Sequence, residues 1–145
     1  MNRLATFENE LMRLNPDALD FILQVDELVG AVPESEQAAL VEPIFKFFEA
    51  NPLNDVGAPG TLVHLVERFY PSYSNRLLES LLTRPSHNTI LMANRILNAR
   101  LDAPERSRYM AALEHVVGVH GLPKVLRDYA SHFLDRRRNL DLHRQ

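Results

Sequence analysis

The chain has 145 residues, a net charge of −3 and no cysteine. A chain of this length can bury one hydrophobic core, and the lack of cysteine excludes disulfides, thiolate zinc sites and cysteine nucleophiles. No stretch approaches the roughly 20 apolar residues that a membrane-spanning helix needs, so we expect no membrane partner. We predict a single helical domain over residues 1–145.

The charges are divided unevenly along the sequence. Residues 1–60 hold eleven acidic and three basic residues, a net charge of −8, and the remainder holds thirteen basic and eight acidic residues, a net charge of +5. We distinguish an acidic part, 1–60, a basic part, 61–135, and a charged tail, 136–145, that we expect to fray. This asymmetry bears on partners and rates of encounter, although solvated helix surfaces carry charge in any case.

The first part of the chain predicts three amphipathic helices. The first covers residues 4–14 and the second covers 18–29. A third begins near residue 34 and ends before residue 51, and Pro43 inside it should kink it or split it in two. The second helix is expected to bury five apolar side chains, Leu19, Ile22, Leu23, Val25 and Leu28.

A loop that contains proline and glycine, residues 51–60, precedes five further predicted helices. These cover 61–70, 75–83 and 87–100, with Ser86 as the N-cap of the last, and two more begin near Pro104 and Pro123. No stretch alternates as a strand does. The sequence therefore predicts an all-α fold, either an irregular helical bundle or a short HEAT-like α-solenoid, of about seven or eight helices.

Three polar residues of the helix after the loop are the candidates for chemistry. His64, Glu67 and Arg68 occupy neighbouring positions on one helix. An imidazole beside a structural carboxylate is more common than a catalytic pair, and no second histidine lies at the spacing of a helical zinc site. We therefore expect no enzymatic activity, no cofactor and no metal, and catalysis by His64 and Glu67 stays as an alternative.

Asn94 lies on the apolar stripe of the helix predicted over 87–100, which it shares with Ile90 and Leu97. A buried amide needs hydrogen-bond partners, because leaving it unpaired costs about 1–3 kcal/mol. The nearest supply of free backbone groups is the loop at 51–60. We therefore predict that Asn94 holds this loop, with direct contact to a partner as the alternative.

The tail contains three consecutive arginines, residues 136–138, a pattern that can bind nucleic acid. Phosphate binding needs a broader basic surface, and the acidic N-terminal part opposes it. A short basic run at the end of a helix also complements the helix dipole. The sequence therefore argues against a nucleic-acid partner.

Two segments resemble a pattern found in small helical immunity proteins of bacterial contact-dependent growth inhibition and other polymorphic toxin systems. The first contains Pro-Gly-x-Leu-Val-His-x-x-Glu at 59–67, and the second contains Arg-Pro at 84–85 and Asn-Arg-Ile-x-Asn at 94–98. Ser86 replaces a threonine of that pattern, and Ala93 replaces a larger apolar residue. The resemblance implies that these residues form a structural motif: Gly57, Pro59, Gly60, His64, Glu67 and Asn94.

The resemblance implies a cytoplasmic protein that binds and neutralises one cognate protein toxin without catalysis. Many such toxins are nucleases with basic clefts, which an acidic inhibitor can reach quickly and occupy. The alternative is a helical-repeat adaptor that binds another protein or peptide. The expected contact surface consists of acidic residues on the third helix and the loop after it, Glu34, Glu36, Glu42, Glu49 and Asp55.

Overall fold

All regular secondary structure in the described residues is helical, which confirms the predicted all-α class. The structure, a computed structural model, describes residues 2–55, 59–99 and 101–143. None of the helices in these ranges combines the length and apolar composition needed to cross a membrane. The described ranges contain a 3-10 helix (Glu34–Leu40) and eight α-helices, which are α1 (Arg3–Arg13), α2 (Phe21–Gly30), α3 (Val41–Ala50), α4 (Gly60–Glu67), α5 (Ser74–Thr83), α6 (His87–Leu97), α7 (Ala103–Gly118) and α8 (Lys124–His143).

Capping side chains determine where α6 and α7 begin. The Ser86 hydroxyl accepts a hydrogen bond from the Thr89 amide at 3.1 Å, and the Thr89 hydroxyl accepts one from the Ser86 amide at 2.9 Å. Asp102 caps α7, since its carboxylate accepts a hydrogen bond from the Glu105 amide at 2.9 Å. Each cap satisfies an amide that has no partner within its helix. The predicted cap at Ser86 is confirmed.

Pro43 lies just after the point where the third predicted helix divides. The segment forms the 3-10 helix and then α3, with Pro43 in the first turn of α3. Amides of the first turn lack acceptors within their own helix, so proline is tolerated there. The predicted split is confirmed, and α3 supplies four fully buried side chains to the core, Ile44, Phe45, Phe47 and Phe48.

The second helix differs from its prediction. It begins at Phe21 rather than at residue 18, because turns precede it. Phe21 and Val25, one helical turn apart, then face the core. Leu19, Ile22 and Leu23, which the sequence placed in the core, are instead 107%, 50% and 66% exposed. The prediction that this helix buries them is wrong, and three large apolar side chains face solvent.

The core is centred on α6, which packs against α3, α5, α7 and α8. Eight of its eleven residues are buried. The most extensive contact between two helices is that of α7 with α8, and α5 packs more extensively on α7 than on its neighbour in the chain, α6. A solenoid repeat contacts its sequence neighbours only, so these contacts fit an irregular bundle.

The charged tail continues α8 to residue 143 instead of fraying. Arg137 is only 3% exposed, because its side chain lies against α6. Asp141 accepts hydrogen bonds from Arg106 of α7, with Nη2 at 2.5 Å from both carboxylate oxygens. These contacts attach the end of α8 to the body of the protein. The expectation of a frayed tail is therefore wrong for residues 136–143.

Candidate functional site

The motif residues of α4 and α6 form an ion pair between the two helices. Arg95 donates hydrogen bonds from Nε and Nη2 to the two carboxylate oxygens of Glu67, at 2.6 and 3.0 Å. Such bidentate pairs are among the strongest contacts of a guanidinium, and the hydrogen bonds to Glu67 raise the pKa of Arg95. The His64 side chain is 58% exposed, and its Nδ1 lies 3.5 Å from Glu67 Oε1. Glu67 thus links α4 to α6.

An open depression of about 620 Å³ lies beside this ion pair. The structure brings His64 and Glu67 together at its wall, as predicted. Both carboxylate oxygens of Glu67 already accept hydrogen bonds from Arg95, and Nδ1 of His64 lies 3.5 Å from Glu67 Oε1. The arrangement therefore supports a structural role for Glu67 and leaves His64 as an exposed imidazole. The depression is lined by Val29, Thr61, His64, Leu65, Glu67 and Arg68.

Glu42 and Glu49 of α3 both bind Arg76 of α5. Arg76 Nε donates to Glu42 at 2.7 Å, and Nη1 and Nη2 donate to Glu49 at 2.8 and 3.1 Å. The guanidinium also lies 5.1 Å from the centre of the Phe45 ring. Burial raises the pKa of Glu49, but the hydrogen bonds from Arg76 and Ser80 and the charges of Arg76 and Arg84 together outweigh burial and lower it. Because its side chain is only 9% exposed, Glu49 belongs to the scaffold that joins α3 to α5.

The other three predicted contact acids are exposed. Glu36 forms an ion pair with Arg3 of α1 at 2.5 Å, and Glu34 lies 3.9 Å from Arg68. Asp55 lies in the loop after α3. Exposed pairs contribute little to stability, but they do offset the charge that a partner would meet. Glu34, Glu36, Glu42 and Glu49 are therefore partly or wholly neutralised by bases of the same chain.

Asn94 is buried, as predicted, but its partner differs from the prediction. Its Oδ1 accepts a hydrogen bond from Arg137 Nη2 of α8 at 3.4 Å. The amide that reaches the described part of the loop at 51–60 belongs to Asn88, whose Nδ2 donates to the Asn54 carbonyl oxygen at 3.0 Å. Within the described residues, the role given to Asn94 is therefore corrected. Asn88 holds the loop, and Asn94 binds α8.

The Pro-Gly pair of the motif sets how the chain enters α4. Pro59 is the N-cap of α4 and Gly60 is its first residue, with φ at +57°. In this left-handed conformation a Cβ would crowd the following carbonyl oxygen, so glycine is strongly favoured. Gly57, the other predicted motif glycine, lies outside the described residues. Pro59 and Gly60 therefore determine the backbone conformation at the start of α4.

No known protein family matches the chain, and no characterised protein or solved structure matches it. The described residues contain no group of three or more His, Asp or Glu side chains placed to hold a metal ion. The resemblance to immunity proteins therefore rests on the motif residues themselves. We therefore infer function from the contacts that those residues make within the fold and from the part of the surface that they do not occupy.

One surface that the sequence did not single out lies on α2 and the turn before it. Residues 14–45 contain seven acidic residues and no Lys, Arg or His. Helical periodicity assigned the apolar residues of this surface to the core, which is why it was missed. Among the described residues, its three carboxylates take part in no ion pair. We define the α2 face by its exposed side chains, Asp17, Leu19, Asp20, Ile22, Leu23 and Glu27.

Proposed function

We propose that this chain is an immunity protein that binds and neutralises one cognate bacterial toxin. The motif residues that resemble those of immunity proteins are used for contacts within the fold, such as Glu67 with Arg95 and Asn94 with Arg137. The observation that carries the proposal is the separation of this scaffold from an acidic N-terminal part in which Asp17, Asp20 and Glu27 take part in no ion pair among the described residues. Such a division fits protein binding better than catalysis.

The charge of the N-terminal part favours a basic partner. A toxin that cleaves nucleic acid needs Lys and Arg side chains to bind phosphates. An acidic inhibitor is attracted to such a cleft and can exclude the substrate by occupying it. We therefore propose a nuclease toxin as the partner and the cytoplasm, where its substrate lies, as the place of binding.

Co-expression with the neighbouring toxin tests this proposal. The proposal predicts that a toxin is encoded immediately upstream of the gene for this chain, and the C-terminal domain of that toxin is expressed in a bacterial host with and without the chain. We expect the chain to restore growth and to co-purify with the toxin domain, while an unrelated nuclease toxin stays active. Growth arrest without a complex would contradict the proposal. A complex that leaves the toxin active would instead favour the adaptor function.

The predicted acidic surface can be tested within the same complex. Glu34, Glu36 and Asp55 are the predicted contact acids that lie outside the Arg76 pair. Changing all three to lysine should slow association with the toxin and reduce its dependence on salt, because long-range attraction acts mainly on the association rate. Unchanged rates at low and high salt would exclude these residues from recognition and leave the immunity function intact.

A further inference from the structure

We propose that the α2 face is the docking surface for the toxin. Leu19, Ile22 and Leu23 would make an apolar contact, and basic side chains of the toxin would lie around it. The inference takes the identity of the partner from the proposed function. It adds the place of binding, which differs from the acidic residues that the sequence indicated.

The apolar side chains of this face are unusually accessible. Leu19 is fully exposed, Ile22 is half exposed and Leu23 is two-thirds exposed. The core side of the same helix is occupied by Phe21 and Val25, so a small rearrangement cannot bury all of these residues. Exposed apolar clusters with a polar rim are typical of protein-binding surfaces.

The polar residues of the α2 face indicate the charge of the partner. Asp17, Asp20 and Glu27 are exposed and take part in no ion pair among the described residues. In contrast, Glu8 of α1 pairs with Lys46 at 3.1 Å, and other N-terminal acids pair with Arg3 or Arg76. Within the part of the chain that the structure describes, the α2 face therefore presents negative charge that no base offsets, which complements a surface rich in Lys and Arg.

The same charges disfavour a second copy of this chain as the occupant. Two α2 faces in contact would bring their carboxylates together, and like charges across an interface oppose association. A basic toxin can cover the apolar side chains and also carry the positive charge that complements the carboxylates. We therefore assign the face to the toxin and treat self-association as a result that the test must exclude.

The helix that carries this face is firmly held from behind. Phe21 stacks on Phe47 of α3, with ring centres 5.9 Å apart, and the Thr61 hydroxyl of α4 donates a hydrogen bond to Asp26 at 2.5 Å. A surface that is ordered before binding loses less conformational freedom on association. The α2 face is thus presented on a helix that is anchored to both α3 and α4.

Matched serine substitutions test this docking surface. The Leu23→Ser variant alters the α2 face, and the Leu82→Ser variant alters an equally apolar side chain of α5 that is 50% exposed. Binding to the purified toxin domain is measured by surface plasmon resonance, and circular dichroism verifies that both variants keep their helices. We expect Leu23→Ser to weaken binding about tenfold or more, through faster dissociation, and Leu82→Ser to change it less than about twofold.

Charge variants of the same face provide a second readout. Replacing Asp20 with Asn and Glu27 with Gln should slow association and reduce its dependence on salt, with little change in dissociation. The apolar variant should change mainly the dissociation rate and the charge variants mainly the association rate. Together they separate short-range contact from long-range electrostatic attraction.

The outcomes distinguish this inference from the proposed function. If wild type and Leu23→Ser bind the toxin equally well, the α2 site is wrong and the immunity function stands. If wild type does not bind the toxin, both are wrong. If sedimentation detects a dimer of the free chain that Leu23→Ser dissociates, the face belongs to a second copy, and the inference is overturned.

Discussion

The helices α2 and α6 have similar lengths, ten and eleven residues, and opposite surroundings. α2 is the more hydrophobic of the two, yet it buries only Phe21 and Val25. α6 buries eight residues, including Asn88, Thr89 and Asn94. Hydrophobicity alone therefore does not decide which helix is buried. Asn88 Nδ2, Thr89 Oγ1 and Asn94 Oδ1 of α6 form hydrogen bonds inside the protein. The apolar excess of α2, in contrast, has no covering element among the described residues.

The largest expected difference between the two helices comes from one substitution made in each. Ile90 of α6 is completely buried and Ile22 of α2 is 50% exposed. Ile90→Ala should lower the free energy of unfolding by about 2–5 kcal/mol, because it leaves a cavity. Ile22→Ala should lower it by less than about 1 kcal/mol. Urea unfolding followed by circular dichroism measures both, and equal losses would show that α2 is as tightly packed as α6.

The ion pair at Arg76 should contribute more to stability than the ion pairs of the exposed acids. Arg76→Ala leaves the carboxylate of Glu49, whose side chain is only 9% exposed, without its main partner. We expect a loss of about 2 kcal/mol, below the range for fully buried pairs because Arg76 is 20% exposed. Arg3→Ala, which removes an exposed pair, should cost less than about 0.5 kcal/mol. If both variants lost a similarly small free energy of unfolding in urea, the Arg76 pair would not hold Glu49 in the scaffold. Glu49 would then again be a candidate for contact with the partner.

The lowered pKa of Glu49 predicts how stability responds to acid. Between its folded and unfolded pKa values the unfolded chain binds more protons, so stability falls as pH falls. The contribution is complete above the ordinary carboxyl pKa of 4.5 and is lost as pH falls through the folded value. Thermal unfolding from pH 7 to pH 3 should therefore show a shallower acid loss for Glu49→Gln than for wild type. If the melting temperatures of the two proteins fell in parallel with pH, the ion pair would not stabilise the fold.

A smaller effect is expected where the chain enters α4. Gly60 has a φ of +57°, so Gly60→Ala should reduce stability by about 1 kcal/mol through backbone strain. Gly118, at the end of α7, has no neighbouring atom within 4 Å of an added Cβ and provides the matched control. Gly118→Ala should be neutral or slightly stabilising, since alanine is the better helix former. Equal melting temperatures for the two variants would remove the proposed backbone role of Gly60.

Local sequence signals predicted the starts of α6 and α7 well. The Ser86 cap and Pro104 act within one turn, so they need no knowledge of the rest of the fold. The exposure of Leu23 could not be predicted in this way. Helical periodicity shows which side chains are apolar, but another element must be present to cover them, and that depends on the tertiary structure.

The same limit explains the errors in the candidate site. Asn88 and Asn94 both lie on α6. Only the path of the loop at 51–60 decides which of the two side-chain amides contacts that loop. The burial of Arg137 depends on Asn94 of α6 and on Asn98, the residue after α6, and both lie far from Arg137 in the sequence. The pairing of Glu49 with Arg76 likewise depends on how α3 and α5 pack. Charge counts along the chain could not separate paired acids from unpaired ones.

Amide hydrogen exchange of the chain with and without bound toxin tests most directly whether α2 makes the contact and α6 forms the scaffold. Exchange rates report local protection along the whole chain in one experiment. We predict that toxin binding increases protection in residues 15–30 and leaves α6 unchanged. Added protection confined to α5 through α8, with the exchange of α2 unaltered, would contradict the account.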